Sequence, residues 1–363
     1  MSIDPDSGNA TSPRIFSRRR ALGGMAGAAF ALALRRELGR ALTAPPVASP
    51  DGDPLPSWNE GAAKDAILAF VAAATDDANP GFVPPAARIA TFDQDGTLWV
   101  EHPIYTQGAF AFARVAALAP EHPEWKTLEP FATILARDEA KMAAFSEQDL
   151  AQIVAATHAG MSVDEFLATV AAWLATAKHP RFNRLYTDLI YQPMLEVMAL
   201  LRANGFRTFI VSGGGQEFIR AYAEPVYGIP PEQVIGTTFE TKYQVQPSGT
   251  PVLIKEAKPQ LNDNYGGKAE NINLMIGRRP VAAFGNSTGD QQMLEWTDAG
   301  ERARLMMLVY HDDAEREYAY GPAGGLSNTS IGTFTDALMT EANDRGWSVI
   351  GMKRDWNAIF PPD

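Results

Sequence analysis

Apolar runs and helix-spaced apolar positions alternate along most of this chain. Ala63, Ile67, Leu68 and Val71 recur at helical spacing between Trp58 and Thr75, and Asn79-Pro80-Gly81 stops that element. A short apolar run ending at Phe92 predicts a strand. From Glu101 to Arg202 the pattern is almost wholly helical. Helices are expected over Phe110 to Leu118, Phe131 to Phe145, Glu147 to Ala156 and Val163 to Ala177, with His122-Pro123 and His179-Pro180 as punctuation. Gln192 to Asn204 is amphipathic, with Pro193 at its start and Gly205 at its end. Strand-like and helix-like stretches then alternate. A strand over Phe206 to Val211 leads to a helix over Gln216 to Ala223. Val234 to Phe239 and Tyr243 to Ile254 flank the turn Pro247-Ser248-Gly249 and read as a hairpin at a sheet edge. A helix from Gly266 to Met275, a strand over Val281 to Phe284, a helix over Gln291 to Trp296 and a strand over Arg304 to Val309 follow. The chain closes with a helix over Phe334 to Arg345 and a strand over Trp347 to Met352.

Strands alternating with helices predict an α/β fold, a doubly wound and mainly parallel sheet. The helical stretch is far longer than a strand-to-helix loop, so it reads as an inserted α-helical cap. The expected division is a leader and linker over 1–48, a core over 57–100 and 203–363, and the cap over 101–202.

Composition narrows the chemistry. The chain has 363 residues, 46% hydrophobic and 20% charged, which suits a folded protein with a sizeable core. A net charge of -12 argues against nucleic acid or an anionic membrane as a partner. With no cysteine, disulfides, thiol nucleophiles, cysteine-held zinc and lipoprotein anchoring are excluded. The N-terminus differs from the rest. Ser17-Arg18-Arg19-Arg20 precedes a mildly apolar run, Ala21 to Leu34, too short to span a bilayer. It resembles a twin-arginine export signal, so the precursor is expected to meet that export machinery and the mature protein to be periplasmic or secreted, without a stable membrane anchor. The competing reading is a basic amphipathic helix on the folded body. The Pro-rich stretch Ala44 to Pro56 then serves as a processing region or linker.

Oxygen-bearing side chains gather where strands are expected to end. Asp93 and Asp95 lie one residue apart at the end of an apolar run, and alternate residues of a strand share a face. Two such acids suit a hard cation, or a nucleophile paired with a proton carrier. A Asp-Gly hairpin turn with Leu98-Trp99-Val100 returning is the plain alternative. An EF-hand loop fails, because Thr97 stands at its third oxygen position. Ser212 and Gly213 open a glycine-rich turn between a strand and a helix N-terminus, a natural phosphate cradle. Asn286 and Asp290 follow another apolar strand, and Lys268 lies one helix before them, with Lys255 and Lys258 as rivals. His311, Asp312 and Asp313 end a further strand, as site residues or as simple caps. Ligands of doubly wound sheets bind beyond the carboxyl ends of the strands.

Asp93-Gln94-Asp95-Gly96-Thr97, Ser212, Lys268 and Gly285-Asn286 with Asp290 resemble, in order, the four motifs of haloacid dehalogenase superfamily phosphatases. The helical insertion resembles the C1 cap of the phosphoserine-phosphatase-like branch. The second acid carries weight: dehalogenases lack it, P-type ATPases carry Lys-Thr after the first Asp, and phosphonatases carry Ala. The resemblance implies that Asp93 forms an aspartyl-phosphate and that Asp95 protonates the leaving oxygen, then deprotonates water. It implies phosphate binding by Ser212, Gly213 and Lys268. It also implies Mg²⁺ held by Asp93, by the backbone carbonyl of Asp95, and by Asn286 or Asp290. Asn286 is a departure, since many relatives have Asp there. On charge alone, Asn286→Asp is expected to tighten Mg²⁺ binding. Trp99, Glu101 and Tyr105, where the chain enters the cap, are candidates for the substrate side, with a solvated hinge carboxylate as the alternative for Glu101. The expected activity is exported, Mg²⁺-dependent hydrolysis of a small phosphomonoester. A phosphomutase or phosphotransferase, or a non-catalytic binder of phosphorylated ligands, is the alternative.

The twin pair is read by a receptor and not as charge, so Arg18→Lys with Arg19→Lys should leave the precursor in the cytoplasm. Fractionation and immunoblotting check this, and an unchanged exported fraction would refute the signal.

Overall fold

The computed structural model describes residues 52–326 and 331–362. Arg18, Arg19 and the rest of the expected leader lie outside the described residues. One sheet organises the body. Its strands are β1 (Ile89–Phe92), β2 (Arg207–Gly215), β3 (Val234–Val245), β4 (Pro251–Leu261), β5 (Ala282–Gly285), β6 (Leu305–Tyr310) and β7 (Ser348–Gly351). The spatial order is β4-β3-β2-β1-β5-β6-β7. All neighbours pair parallel except β3 and β4, the expected hairpin at the edge. From β1 the chain builds outward through β2, β3 and β4, then returns to place β5 on the other side of β1. The carboxyl ends of β1 and β5 are therefore the switch point where a doubly wound sheet opens a crevice.

Burial follows the period of two. Ala90, Phe92, Ile210, Ala282, Phe284, Leu305, Met307 and Val309 belong to one apolar cluster. Their strand neighbours Ile89, Val211, Ala283, Met306 and Leu308 belong to a second. Both faces are thus covered, as parallel sheets require. Helices Ala62–Thr75 and Gln192–Ala203 pack on the first face; Gly266–Ile276, Gln291–Asp298 and Asp336–Arg345 pack on the second. Phe92 stacks on Phe284 with ring centroids 4.4 Å apart, which ties β1 to β5 just before both strands deliver their polar ends.

Between β1 and β2 the chain is helical, as the spacing predicts. Helices Glu147–His158 and Val163–Leu174 each begin with a capping box, Ser146 with Asp149 and Ser162 with Glu165. The single helix expected over 131–145 is instead two, Phe131–Ala136 and Glu139–Met142. Arg137 adopts a left-handed conformation at φ 56°, and the side chain of Asp138 caps the second piece. The helix expected over 216–223 likewise breaks into Gln216–Arg220 and Ala223–Tyr227. Part of this helical segment has a core of its own, built on Val115, Trp125, Phe131, Ile134 and Ile153. Phe110, Phe166 and Leu174 join the main cluster instead. Among the described residues, no helix is long and apolar enough to cross a membrane.

His158 sits at the join of these two regions, against Phe110 and Phe166. Burial, with Lys255 and Arg114 nearby, depresses its pKa to about 3. Such a histidine is neutral when folded and charges readily when unfolded. Its stabilising contribution is therefore present above about pH 6.5 and is lost as pH falls toward 3. Across pH 7 to 4, His158→Gln should lose less melting temperature than the wild type. Parallel slopes for the two proteins would contradict this account of His158.

Candidate active site

The site grows from the strand ends. Residue 93 follows the last ladder position of β1, and its amide N–H donates to the carbonyl of Phe284 at 2.9 Å. Asp93 is thereby held beside β5. Gly96 turns the chain with φ 73°, and its amide donates to the carbonyl of Trp99 at 2.9 Å, which folds the motif back on itself. A β-carbon at residue 96 would collide with the amide of Asn286 and with Oε1 of Glu101, so only glycine fits there. Gln94 points elsewhere, donating to the Tyr227 hydroxyl at 2.8 Å.

Lys268 is the hub. It is 2% exposed, and its ammonium donates to Asp93 Oδ1 at 2.6 Å, Asp290 Oδ1 at 2.5 Å and the carbonyl of Val211 at 2.8 Å. One cation thus joins the first and fourth motifs to the strand that leads into the second. Burial works against its charge, but Asp290 and Asp93 outweigh that and hold its pKa above the usual lysine range. The rival lysines are engaged elsewhere. Lys255 is paired with Glu217 at 2.9 Å, and exposed Lys258 with Glu240 at 2.5 Å.

Asp95 is half-buried beside Trp99, whose indole N–H donates to Oδ1 at 2.7 Å. Burial raises its pKa to about 6 against that hydrogen bond, so this carboxyl keeps a proton at pH values where ordinary aspartates have lost theirs. Trp99 in turn stacks on Tyr222, with centroids 4.7 Å apart. Its closest polar link is therefore to the second acid.

The glycine loop differs in detail from the expected strand-then-turn. Strand β2 runs on through Gly215, but its register with β3 jumps between Ser212 and Gly215, so Gly213 and Gly214 bulge outward. Ser212 Oγ accepts from the amide of Gly214 at 3.1 Å. The carbonyl of Gly213 accepts from Thr237 at 2.8 Å. The amide of Gly215 donates at 2.7 Å to Gln107 Oε1, a side chain from helix Thr106–Leu118. Gln107 Nε2 lies 3.2 Å from His158 Nε2. Gln107 was not singled out from sequence, because one polar residue on an amphipathic helix carries no signal of its own.

The fourth motif shows a division of labour. Asp290 Oδ1 is taken by Lys268, and Oδ2 accepts from the amides of Asn286 and Ser287, both at 3.0 Å. Its carboxylate shapes the loop from behind. Asn286 Nδ2 donates to Glu101 Oε1 at 2.7 Å. Among the described residues, Asn286 Oδ1 takes one contact, from Thr97 Oγ1 at 3.3 Å. Asp93, Asn286 and the Asp95 backbone offer oxygens, the ligand atoms hard cations prefer, so the chemistry of these residues fits Mg²⁺. Among the described residues, no group of three or more His, Cys, Asp or Glu forms a metal cluster, since this set counts an amide and a carbonyl.

Glu101 is not a solvated hinge residue. It is 2% exposed, and Tyr320 also donates its hydroxyl to Oε1. Tyr105, by contrast, is 37% exposed, its hydroxyl accepting from the amide of Gly332 at 3.2 Å. His311 reaches the motif: Nε2 lies 2.7 Å from the carbonyl of Gly96 and Nδ1 lies 3.0 Å from Glu317. Its neighbours are caps. Asp312 accepts from the amide of Lys353, and Asp313 from the amides of Glu315 and Arg316. Tyr320 and Glu317 come from an irregular segment, where no periodicity announces them.

The sequence model of the haloacid dehalogenase-like hydrolases matches residues 90–295. No curated protein matches the chain. Several solved structures resemble it distantly. A protein of unknown function from Bordetella pertussis Tohama I is 16% identical over 72% of this chain and 97% of its own, with a TM-score of 0.43. A functionally unknown protein from Anaerococcus prevotii is 15% identical over 79% and 91%, with a TM-score of 0.49. A phosphoserine phosphohydrolase-like protein from Francisella tularensis is 18% identical over 61% and 87%, with a TM-score of 0.33. The family therefore rests on the sequence match and on the residues it encloses, which run from β1 into the helix after the fourth motif. With its two acids, its lysine and its fourth-motif carboxylate brought together at one switch point, the chain belongs to the haloacid dehalogenase-like hydrolases.

Proposed function

We propose that the protein is an exported, Mg²⁺-dependent phosphomonoester hydrolase that works through an aspartyl-phosphate on a small phosphorylated metabolite. The observation that carries this reading is the gathering of Asp93 and Asp290 on the buried Lys268 ammonium, with Asp95 in the same turn as Asp93. Burial and the Asp290 charge lift the Asp93 pKa to about 8, against the Lys268 ammonium that donates to it at 2.6 Å, whereas Asp95 meets the uncharged indole N–H of Trp99 and burial lifts its pKa to about 6. A nucleophile must be ionised, and a general acid must hold a proton; the Lys268 ammonium, and Mg²⁺ when bound, would favour the charged form of Asp93, and burial keeps the proton on Asp95.

With Oδ1 of Asp93 engaged by Lys268, attack on phosphorus falls to Oδ2. The new bond forms from Asp93 oxygen to phosphorus while the ester oxygen leaves, taking the proton of Asp95. Ionised Asp95 then removes a proton from water as that water attacks the phosphoryl-aspartate, which frees phosphate and restores both acids. Ser212 and Gly213 offer the loop that receives the phosphoryl oxygens, and Lys268 supplies positive charge beside them. Asp93, the Asp95 carbonyl and Asn286 would hold Mg²⁺, which when bound neutralises phosphoryl charge. Helices after β1 would act as the cap, with Tyr105 on the substrate side. Export rests on the Arg18-Arg19 pair and the apolar run behind it.

Phosphate release from a panel of monoesters should require Mg²⁺, vanish on chelation and return on re-addition. Asp93→Asn should lower turnover by several orders of magnitude on every ester while the variant still folds, at a lower melting temperature because the ion pair with Lys268 is lost. Asp95→Asn should separate substrates by leaving group. Alkyl phosphates need the proton and should lose about 10²–10⁴-fold, whereas nitrophenyl phosphate should lose much less. Equal losses on both would remove Asp95 from the acid role.

A further inference from the structure

Asn286 presents a problem that an aspartate would not. An amide has one oxygen and one NH₂ group, and only the oxygen can ligate a cation. A half-turn about the last side-chain bond would put the donor where the ligand belongs. We propose that Glu101 is the positioning residue that fixes this amide, by accepting a hydrogen bond from Nδ2 so that Oδ1 is the atom offered to Mg²⁺. The inference rests on the metal site proposed above and extends it to a residue outside the four motifs.

The geometry is built for this contact. Glu101 Oε1 lies 2.7 Å from Asn286 Nδ2. The Tyr320 hydroxyl donates to the same oxygen, which leaves that oxygen as an acceptor facing the amide. Tyr320 is itself fixed, with the His102 and His311 rings 4.3 Å and 4.4 Å from its own. Room for the carboxyl is cleared by two glycines, Gly96 at φ 73° and Gly332 at φ 60°, since a β-carbon on either would strike Glu101 Oε1. Thr97 Oγ1, a hydroxyl donor, meets Asn286 on its oxygen side at 3.3 Å, which agrees with the same orientation. Buried acceptor and buried donor thus satisfy each other.

This arrangement reverses the expectation from charge alone. Asn286→Asp removes the donor that Glu101 accepts from and sets two buried carboxyl groups against each other. Adding Glu101→Gln to that variant restores a donor and acceptor pair with the roles exchanged. The effect of Glu101→Gln should therefore depend on which residue stands at position 286.

The test is calorimetric Mg²⁺ titration of metal-free protein, without substrate, on wild type, Glu101→Gln, Asn286→Asp and the double variant, with thermal melts alongside. Glu101→Gln should leave Mg²⁺ binding within about 3-fold in the wild-type background, where its amide oxygen still accepts from Asn286 Nδ2, and strengthen it about 10-fold in the Asn286→Asp background, where its NH₂ supplies the missing donor, a range usual for groups that orient metal ligands. If Asn286→Asp alone does not fold, a folded double variant supports the coupling, and an unfolded one overturns it. Mg²⁺ binding by the wild type, combined with the same effect of Glu101→Gln in both backgrounds, overturns this inference and leaves the metal site standing. No Mg²⁺ binding by the wild type overturns both.

Discussion

Everything at the switch point depends on one buried ammonium. Lys268 joins the carboxylates that follow β1 and β5 to the backbone of β2, through Asp93, Asp290 and the Val211 carbonyl. Three neighbouring strands deliver these acceptors, so the sheet must be in register for the network to close. The converse also holds. Removing the cation would leave two carboxylates buried against each other, a change of the kind that costs about 3–5 kcal/mol. The same contact that completes the fold also restrains Asp93 and neutralises charge where a phosphoryl group would arrive. Stability and catalysis draw on a single interaction.

Around that hub the acids and their partners divide by environment. Asp290 spends its oxygens on Lys268 and on the amides of residues 286 and 287, and so shapes the loop. Asp95 meets an indole N–H and a half-buried setting. Glu101 meets a phenol and an amide deep in the structure. Residues of one chemical type thus acquire separate duties from where the backbone places them. Behind them, His311 holds the carbonyl of Gly96 and is braced by Glu317, which ties the turn of the first motif to β6.

Much of this was legible in the sequence, for physical reasons. Parallel strands buried on both faces give apolar runs, and their carboxyl ends carry the polar residues, so Asp93, Ser212 and Asn286 stood out at the ends of such runs. Helix existence was legible from spacing, but breaks were less so. Arg137 leaves the helical region without a glycine or proline to announce it. Partners that come from irregular segments could not be read at all. Tyr320, Glu317 and Gly332 lie in a stretch without periodicity, and Gln107 is one polar residue among many on its helix. Reading Glu101 as solvated failed because a lone carboxylate is usually exposed, and nothing local revealed the tyrosine and amide waiting for it.

The central claim is that Asp93 carries the phosphoryl group during turnover. The most direct measurement is mass analysis of the Asp95→Asn variant, acid-quenched within its first turnovers of nitrophenyl phosphate in Mg²⁺. The account predicts intact protein heavier by one phosphoryl group, with the modification mapping to the peptide that contains Asp93 and absent when Asp93→Asn is added. Turnover that proceeds with no phosphorylated protein at any quench time, or with the phosphoryl group on another residue, would contradict it.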